Sequence, residues 1–171
     1  MAGRLDASNA LHYPGQEYPF EAEVPIEDME FVGDPIHFGN VKVRGVMVGT
    51  GERVSIRGNV DSTLLTRCSR CLEDVSLPLS AQLDAVFARQ ADPDDPDLYV
   101  FEASSVDLTD PVRDALIMEI PMMVVCREDC KGLCPSCGAN RNKVSCTCQK
   151  EDEMTNPFAA LKEFVHNDEE V

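Results

Sequence analysis

The chain has 171 residues, 43% of them apolar and 27% charged, and 31 acidic against 15 basic residues give a formal net charge of −16. This length suits one domain with a small appendage, since single cores run to roughly 100–200 residues. No stretch approaches the ~18 consecutive apolar residues of a membrane-spanning helix, which predicts a soluble protein, and the negative charge argues against bulk electrostatic binding to nucleic acid.

The eight cysteines are the most informative residues of the sequence. Residues 1–10 lack the apolar run of ~7–15 residues that a secretory signal needs, which predicts a cytoplasmic protein. Thiols stay reduced in that compartment, so clustered cysteines indicate metal ligands or redox thiols, although an even count is also compatible with disulfides.

Alternation of apolar and polar residues predicts several strands. It is crude over 18–24 and 36–48, clearer over 53–64 and strict over 75–87. The strict run predicts an antiparallel strand with one solvated face. Pro78 lies within that run and lacks an amide donor, so we expect it at an edge or a bulge.

A loop and a helix follow the long strand. Residues 91–97 contain two prolines and four aspartates and therefore predict a loop. A short strand over 98–101 comes next, and a helix near 109–120 has Asp107 or Thr109 as its candidate cap.

The resulting fold class is α+β, with an antiparallel β-rich body and one or two short helices over residues 1–125. A small zinc-binding Cys-rich segment over 126–150 follows. Residues 151–171 predict a linker, a short helix that begins near Pro157, and an acidic tail. A helix of two turns is too short to be stable alone, so we expect it to dock on another part of the protein.

The cysteines form four closely spaced pairs. These are Cys68 and Cys71, Cys126 and Cys130, Cys134 and Cys137, and Cys146 and Cys148. The third pair, with Gly138 after it, has the form of a zinc knuckle, because two intervening residues let both thiolates reach one ion at ~2.3 Å. Four thiolates around one tetrahedral ion need two such pairs.

Spacing leaves the partition of the pairs open. In one arrangement, the pair at 146 and 148 completes the knuckle's site, and the pairs at 68 and 71 and at 126 and 130 form a second site. In the other, the pair at 126 and 130 completes the knuckle's site, and the pair at 146 and 148 lies outside it. The alternative for the pair at 68 and 71 is two metal-free thiols at a strand end. Residues 126–150 contain little else to bury, so zinc would supply their folding free energy, at ~10–16 kcal/mol in small peptides.

Basic residues are concentrated in the Cys-rich segment, although the whole chain is acidic. The candidate RNA contacts are Arg127, Lys131, Arg141 and Lys143. A local basic patch can contact RNA phosphates. Alternatively, these cations offset the formal charge of −2 on each four-thiolate zinc site.

Several segments resemble the YceD family, whose members are described as large ribosomal RNA subunit accumulation proteins. They are the Cys-x-x-Cys segment Arg67 to Glu73, Pro121-Met122, the Cys-rich run Cys126 to Asn142, and Asn156 to Leu161, which is similar to the family's closing helix. Where the family has Asn-Leu-Asn after the knuckle, this chain has a charged residue, Arg141.

The resemblance implies a non-enzymatic role in the synthesis, processing or stability of large-subunit ribosomal RNA. Its expected partners are a basic ribosomal protein or an rRNA-processing factor bound by the acidic body, or ribosomal RNA bound by the basic segment. The alternative function is a zinc-thiolate redox-responsive regulatory protein.

The sequence contains no pattern typical of an enzyme. It shows no Ser/His/Asp arrangement, no phosphate-binding glycine loop and no paired histidine ligands, so we expect no small-molecule substrate. The histidines are expected at the surface, with His12 in coil, His37 beside a strand and His166 in the tail.

Overall fold

The computed structural model describes residues 3–31 and 33–148, which form an antiparallel β-rich body with two short helices. The elements are β1 (Arg4–Asp6), α1 (Ser8–His12), β2 (Glu17–Glu23), β3 (Met29–Phe31), β4 (Asp34–Phe38), β5 (Lys42–Gly49), β6 (Arg53–Arg67), β7 (Asp74–Ala88), β8 (Leu98–Val100), β9 (Ser105–Asp107) and α2 (Thr109–Met118). None of the helices in the described residues is long and apolar enough to cross a membrane.

A long hairpin of β6 and β7 is the centre of the main sheet. The two strands pair along their whole length, from Arg53 opposite Ala88 to Arg67 opposite Asp74. On the other edge of β6 lie β5 and then β4, with β2 outside β5. Pro78 pairs with Thr63 of β6, in a part of β7 whose second edge has no strand partner among the described residues.

The strict alternation of β7 places one face in the core. Its buried residues are Leu79, Ala81, Leu83, Ala85 and Phe87. Val112 and Leu116 of α2 are fully buried in the same core. The N-cap of α2 is Leu108, which makes no side-chain cap hydrogen bond, so the expected cap at Asp107 or Thr109 was wrong. The Asp107 carboxylate accepts a hydrogen bond from the Thr109 amide at 3.0 Å, and hydrogen bonds with the side chain and the amide of Thr109 lower the pKa of Asp107.

Two further expectations from the sequence were wrong in detail. The run over 36–48 is divided, since β4 ends at Phe38 and β5 begins at Lys42, so His37 lies within β4 rather than beside a strand. His12 ends α1 and is not in coil. The expected linker, helix and tail over 151–171 lie outside the described residues.

The β6–β7 hairpin carries a turn, residues 68–73, beyond the ends of both strands. It contains two cysteines, and the Ser69 amide donates to the carbonyl of Val124 at 2.8 Å. The hairpin therefore brings this turn to the beginning of the Cys-rich segment.

Candidate metal centre

The first sulfur cluster joins the β6–β7 turn to the Cys-rich segment, and we call it the inner cluster. Its members are Cys68, Cys71, Cys126 and Cys130, whose Sγ atoms all lie within 4.8 Å of one another. The Sγ atoms of Cys68 and Cys130 are 3.9 Å apart, and those of Cys71 and Cys126 are 3.6 Å apart. A tetrahedron with bonds of ~2.3 Å has edges of about 3.8 Å, so these separations suit four thiolates around one zinc ion.

The second sulfur cluster lies entirely within the Cys-rich segment, and we call it the outer cluster. Cys134, Cys137, Cys146 and Cys148 also have all four Sγ atoms within 4.8 Å of one another. The structure therefore brings the eight cysteines together in the first of the two partitions that spacing allows. Both groups contain sulfur donors alone, which is the donor set of structural zinc sites.

One type of turn occurs in both clusters. In the inner cluster, the Leu72 amide donates to the carbonyl of Cys68 at 2.9 Å, and in the outer cluster the Gly138 amide donates to that of Cys134 at 2.8 Å. Both donors have a left-handed backbone, with φ of 60° for Leu72 and 72° for Gly138. Glycine adopts this conformation without strain and leucine does not, so only the outer turn has the favoured residue.

Backbone amides stabilise one thiolate in each cluster. Burial raises the pKa of Cys68, but amides including those of Arg70 at 3.4 Å and Cys126 at 3.3 Å donate to its sulfur and bring the pKa to about 6. The amides of Cys137 and Ser136 likewise lower the pKa of Cys134 to about 6. Each cluster thus contains at least one thiol that ionises readily.

Two other thiols in each cluster resist ionisation, namely Cys71 and Cys126 in the inner cluster and Cys146 and Cys148 in the outer cluster. Burial and hydrogen bonds with the other thiols raise the pKa of Cys126 to about 12, and a hydrogen bond with Cys137 followed by burial raises that of Cys148 to about 12. Four negative sulfurs this close repel one another unless a cation lies between them. A divalent ion would remove this repulsion, so both donor sets fit a bound metal.

The two clusters are held side by side by a close backbone contact. The Leu133 amide donates to the carbonyl of Arg70 at 3.0 Å. Gly132, with φ of 68°, lies so near that an added Cβ would be 2.9 Å from the same carbonyl oxygen. The Arg70 guanidinium donates to the carbonyls of Glu128 at 3.3 Å and Cys130 at 3.2 Å. The turn at 68–73 is therefore packed against the Cys-rich segment.

Asn142 links the loop of the outer cluster to the inner cluster. Its Nδ2 donates to the Sγ of Cys130 at 3.3 Å, and its Oδ1 accepts from the Lys131 amide and from Arg127, each at 2.9 Å. Sequence reasoning missed this role, although the motif Asn140-Arg141-Asn142 was the available signal. A side chain that can both donate and accept suits a position between a thiolate and an amide.

The four predicted basic contacts fall into two kinds. Arg127 pairs with Asp129 at 3.3 Å, and Lys143 forms an ion pair with Glu73 that lowers the pKa of this carboxyl. Lys131 and Arg141 instead line a depression beside the outer cluster. Neither has an ion-pair partner among residues 3–31 and 33–148.

Comparison with known proteins identifies the family. The family model described as large ribosomal RNA subunit accumulation protein YceD matches residues 56–165. The uncharacterized protein YlbN of Bacillus subtilis is 27% identical over 161 residues, which are 92% of this chain and 93% of that protein. No solved structure matches the chain.

Other relatives match a smaller part of the chain. An uncharacterized protein of Mycobacterium tuberculosis is 35% identical over 92 residues, or 51% of this chain and 44% of that protein. The chloroplastic large ribosomal RNA subunit accumulation protein YCED homolog 1 of Arabidopsis thaliana is 36% identical over 70 residues, or 40% of this chain and 22% of that protein. The chain thus spans less than half of the length of these two relatives. Since the family model matches more than half of the chain, including the described cysteines of both clusters, the protein belongs to the YceD family.

Proposed function

We propose that this protein is a non-enzymatic cytoplasmic factor that supports the synthesis, processing or stability of large-subunit ribosomal RNA, and thereby ribosome assembly. The observation that carries the proposal is the family match over residues 56–165. Relatives in Arabidopsis thaliana and Zea mays are named large ribosomal RNA subunit accumulation protein YCED homolog 1. The role is exerted through binding.

Zinc is the metal we propose for both clusters, with one ion in each. Thiolate sulfur is a preferred ligand of Zn²⁺, and a site closed by four sulfurs is structural. Catalytic zinc sites usually have three protein ligands and an open position, which supports a role without catalysis. Each ion would offset half of the thiolate charge of its site, and the ion of the inner cluster would fix the turn at 68–73 against the Cys-rich segment.

A basic ribosomal protein or processing factor is the proposed partner of the acidic body. The exposed side chains of β2 include Glu17, Glu21 and Glu23, of which Glu21 pairs with Arg44 at 3.3 Å. With a net charge of −16 on the whole chain, such a surface favours encounter with a basic partner. Ribosomal RNA is the proposed partner of the basic Cys-rich segment.

Depletion of the protein in the organism that encodes it tests this function. We expect large-subunit precursor RNA to change in amount and mature large-subunit RNA to fall, while small-subunit RNA stays constant. Re-expression of the full chain should restore both values. Unchanged precursor and mature RNA after complete depletion would contradict the proposed function.

A redox-responsive role is a second candidate, because the outer cluster is accessible. Cys137 and Cys148 are exposed, and oxidation of a zinc thiolate releases the ion. In this case two thiolates transfer two electrons to one hydrogen peroxide, which takes two protons from solvent and leaves as two waters, while the sulfurs form a disulfide and Zn²⁺ is released. We expect zinc release at micromolar peroxide if this candidate is right, and retention of both ions at that concentration if it is wrong.

A further inference from the structure

We infer that Lys131 and Arg141 form a binding site for the phosphate backbone of single-stranded RNA, in the depression beside the outer cluster. This inference rests on the proposed function and identifies which part of the Cys-rich segment contacts RNA. It selects two of the four basic residues and assigns the other two to holding the segment together.

Hydrogen bonds donated by the backbone amides of the two cationic residues hold them on adjacent stretches of chain. The Arg141 amide donates to the carbonyl of Gly132 at 3.0 Å, and the Lys131 amide donates to the Oδ1 of Asn142 at 2.9 Å. These bonds connect residues 131–132 directly to residues 141–142. Preorganised cations lose less conformational freedom on binding an anion than cations on independent loops.

The lining of the depression suits a nucleotide. It has a volume of about 510 Å³ and contains two cations, two hydroxyls and two apolar side chains along with three cysteines of the outer cluster. The residues that supply these groups are Lys131, Arg141, Ser136, Ser145, Pro135 and Val144. Cations and hydroxyls donate to phosphate oxygens, and Val144, whose side chain is exposed, offers an apolar surface to a ribose or base.

The absence of carboxylates distinguishes this depression. No Asp or Glu is among the described residues that line it, although the chain carries 31 of them. Phosphodiesters are repelled by the acidic body, so only a short stretch of RNA can approach closely. A pocket of this size falls within the roughly 300–1,000 Å³ of small-ligand sites, which favours one nucleotide of a flexible single strand over a rigid duplex.

Arg127 and Lys143 serve a different purpose. The Arg127 guanidinium contacts Asp129 and Asn142, and Lys143 pairs with Glu73 next to the inner cluster. Their charges already have partners, so a phosphate would have to displace a carboxylate to reach them. Lys131 and Arg141 require no such exchange with any described residue.

The test measures the affinity of the zinc-loaded full chain for a fluorescently labelled oligouridine of twelve nucleotides. Fluorescence anisotropy reports binding, and the measurement is repeated at several salt concentrations. We expect the double variant Lys131→Gln and Arg141→Gln, which we call the neutral pair, to weaken binding at least tenfold. The slope of log affinity against log salt should become shallower by about 1.4, since each phosphate contact to a single strand contributes ~0.7. Lys131→Arg with Arg141→Lys should bind like the unmodified protein.

The matched control is Lys42→Gln combined with Arg57→Gln, which removes the same charges from exposed strand positions. Equal weakening in the control would show a bulk charge effect and overturn the site, as would unmodified protein that does not bind the oligonucleotide. Native mass spectrometry counts the zinc in each variant. A lower count in the neutral pair alone would assign these cations to balancing thiolate charge, which also overturns the site.

The cellular assay separates this inference from the proposed function. If the neutral pair restores ribosomal RNA fully in depleted cells, the site is wrong and the function stands. If depletion itself leaves ribosomal RNA unchanged, the proposed function is wrong. If the unmodified protein binds an acidic peptide, and the variant without the two cations loses that binding but keeps its oligouridine affinity, the depression belongs to a protein partner and the RNA site is overturned.

Discussion

The inner and outer clusters have the same four-sulfur composition but close different kinds of structure. The inner cluster joins residues 55 and 62 positions apart, and three of its four cysteines are buried. The outer cluster lies within residues 134–148, where only Cys134 is buried. An ion in the inner cluster would hold tertiary structure together, whereas an ion in the outer cluster would shape one loop.

The length of chain that each cluster closes gives this difference an energetic meaning. Bringing the inner cysteine pairs together has a loop-closure free energy roughly 1–2 kcal/mol higher than bringing the outer pairs together, because the inner loop is longer. A cross-link between the inner pairs would therefore restrict the unfolded chain more than one between the outer pairs. The β6–β7 hairpin offsets part of that cost by holding Cys68 and Cys71 in place. We therefore expect changes at the inner cluster to affect the whole protein and changes at the outer cluster to remain local.

Loss of a ligand should give the largest effect. Cys68→Ser and Cys134→Ser should each reduce the zinc count from two to one in native mass spectrometry. At free zinc 1,000-fold above the dissociation constant, the lost ion accounts for about 4 kcal/mol, or a decrease in Tm of roughly 8–16 °C. We expect this decrease in Cys68→Ser and a much smaller one in Cys134→Ser; equal decreases would contradict the comparison.

The contact between the clusters should give the next largest effect. Gly132→Ala forces a left-handed alanine against the Arg70 carbonyl, so it should lower the free energy of unfolding by about 2–4 kcal/mol. Gly138→Ala is the matched control, because it has a similar φ of 72° but no heavy atom within 4 Å of the added Cβ. The control should cost only about 1–2 kcal/mol in urea unfolding. Similar costs for both variants would show that backbone strain, not the contact, determines stability here.

Asn142 allows a finer test of the coupling between the clusters. Asn142→Asp keeps the acceptor for the Lys131 amide but replaces the donor to the Cys130 sulfur with a negative oxygen. We expect the inner ion to bind about 10–100-fold more weakly, as is typical when a partner of a metal ligand is removed. Competition with a chromophoric chelator measures this affinity, and Asn59→Asp on the exposed face of β6 is the control. An unchanged inner affinity would remove Asn142 from the coupling.

The smallest expected effect concerns the two turns. Leu72→Gly relieves a left-handed leucine, and the gain is offset by the greater freedom of glycine in the unfolded chain. The free energy of unfolding should therefore change by less than about 1 kcal/mol, with both ions retained. A loss above 2 kcal/mol would mean that the exposed Leu72 side chain stabilises the fold.

The sequence predicted the elements whose pattern is long and local. Residues 75–87 of β7 carry a period of two that a one-sided strand explains, and α2 has a proline in its first turn and an aspartate before it. α1 was missed because five residues are too few to show a helical period. Its position depends on contact with β5, where a Cβ at Gly49 would lie 2.0 Å from the Ala10 carbonyl oxygen.

The grouping of the cysteines could not be chosen from spacing, because the knuckle at Cys134 has a second cysteine pair within reach on either side of it. The structure decides it through the hairpin, which brings Cys68 and Cys71 to Cys126 and Cys130. Likewise, Arg127 and Arg141 are both exposed cations of one short segment. Only the positions of Asp129 and Asn142 distinguish them.

The separation of the inner pairs along the chain has a consequence for biosynthesis. Cys71 is translated 55 residues before Cys126, which at roughly 5–20 residues per second is a delay of about 3–11 s. During this interval the β6–β7 hairpin can form before Cys126 and Cys130, the other two members of the inner cluster, have been translated. Binding of an ion at the inner cluster would therefore follow formation of the hairpin, and without that ion the turn at 68–73 would lack its link through sulfur to the Cys-rich segment.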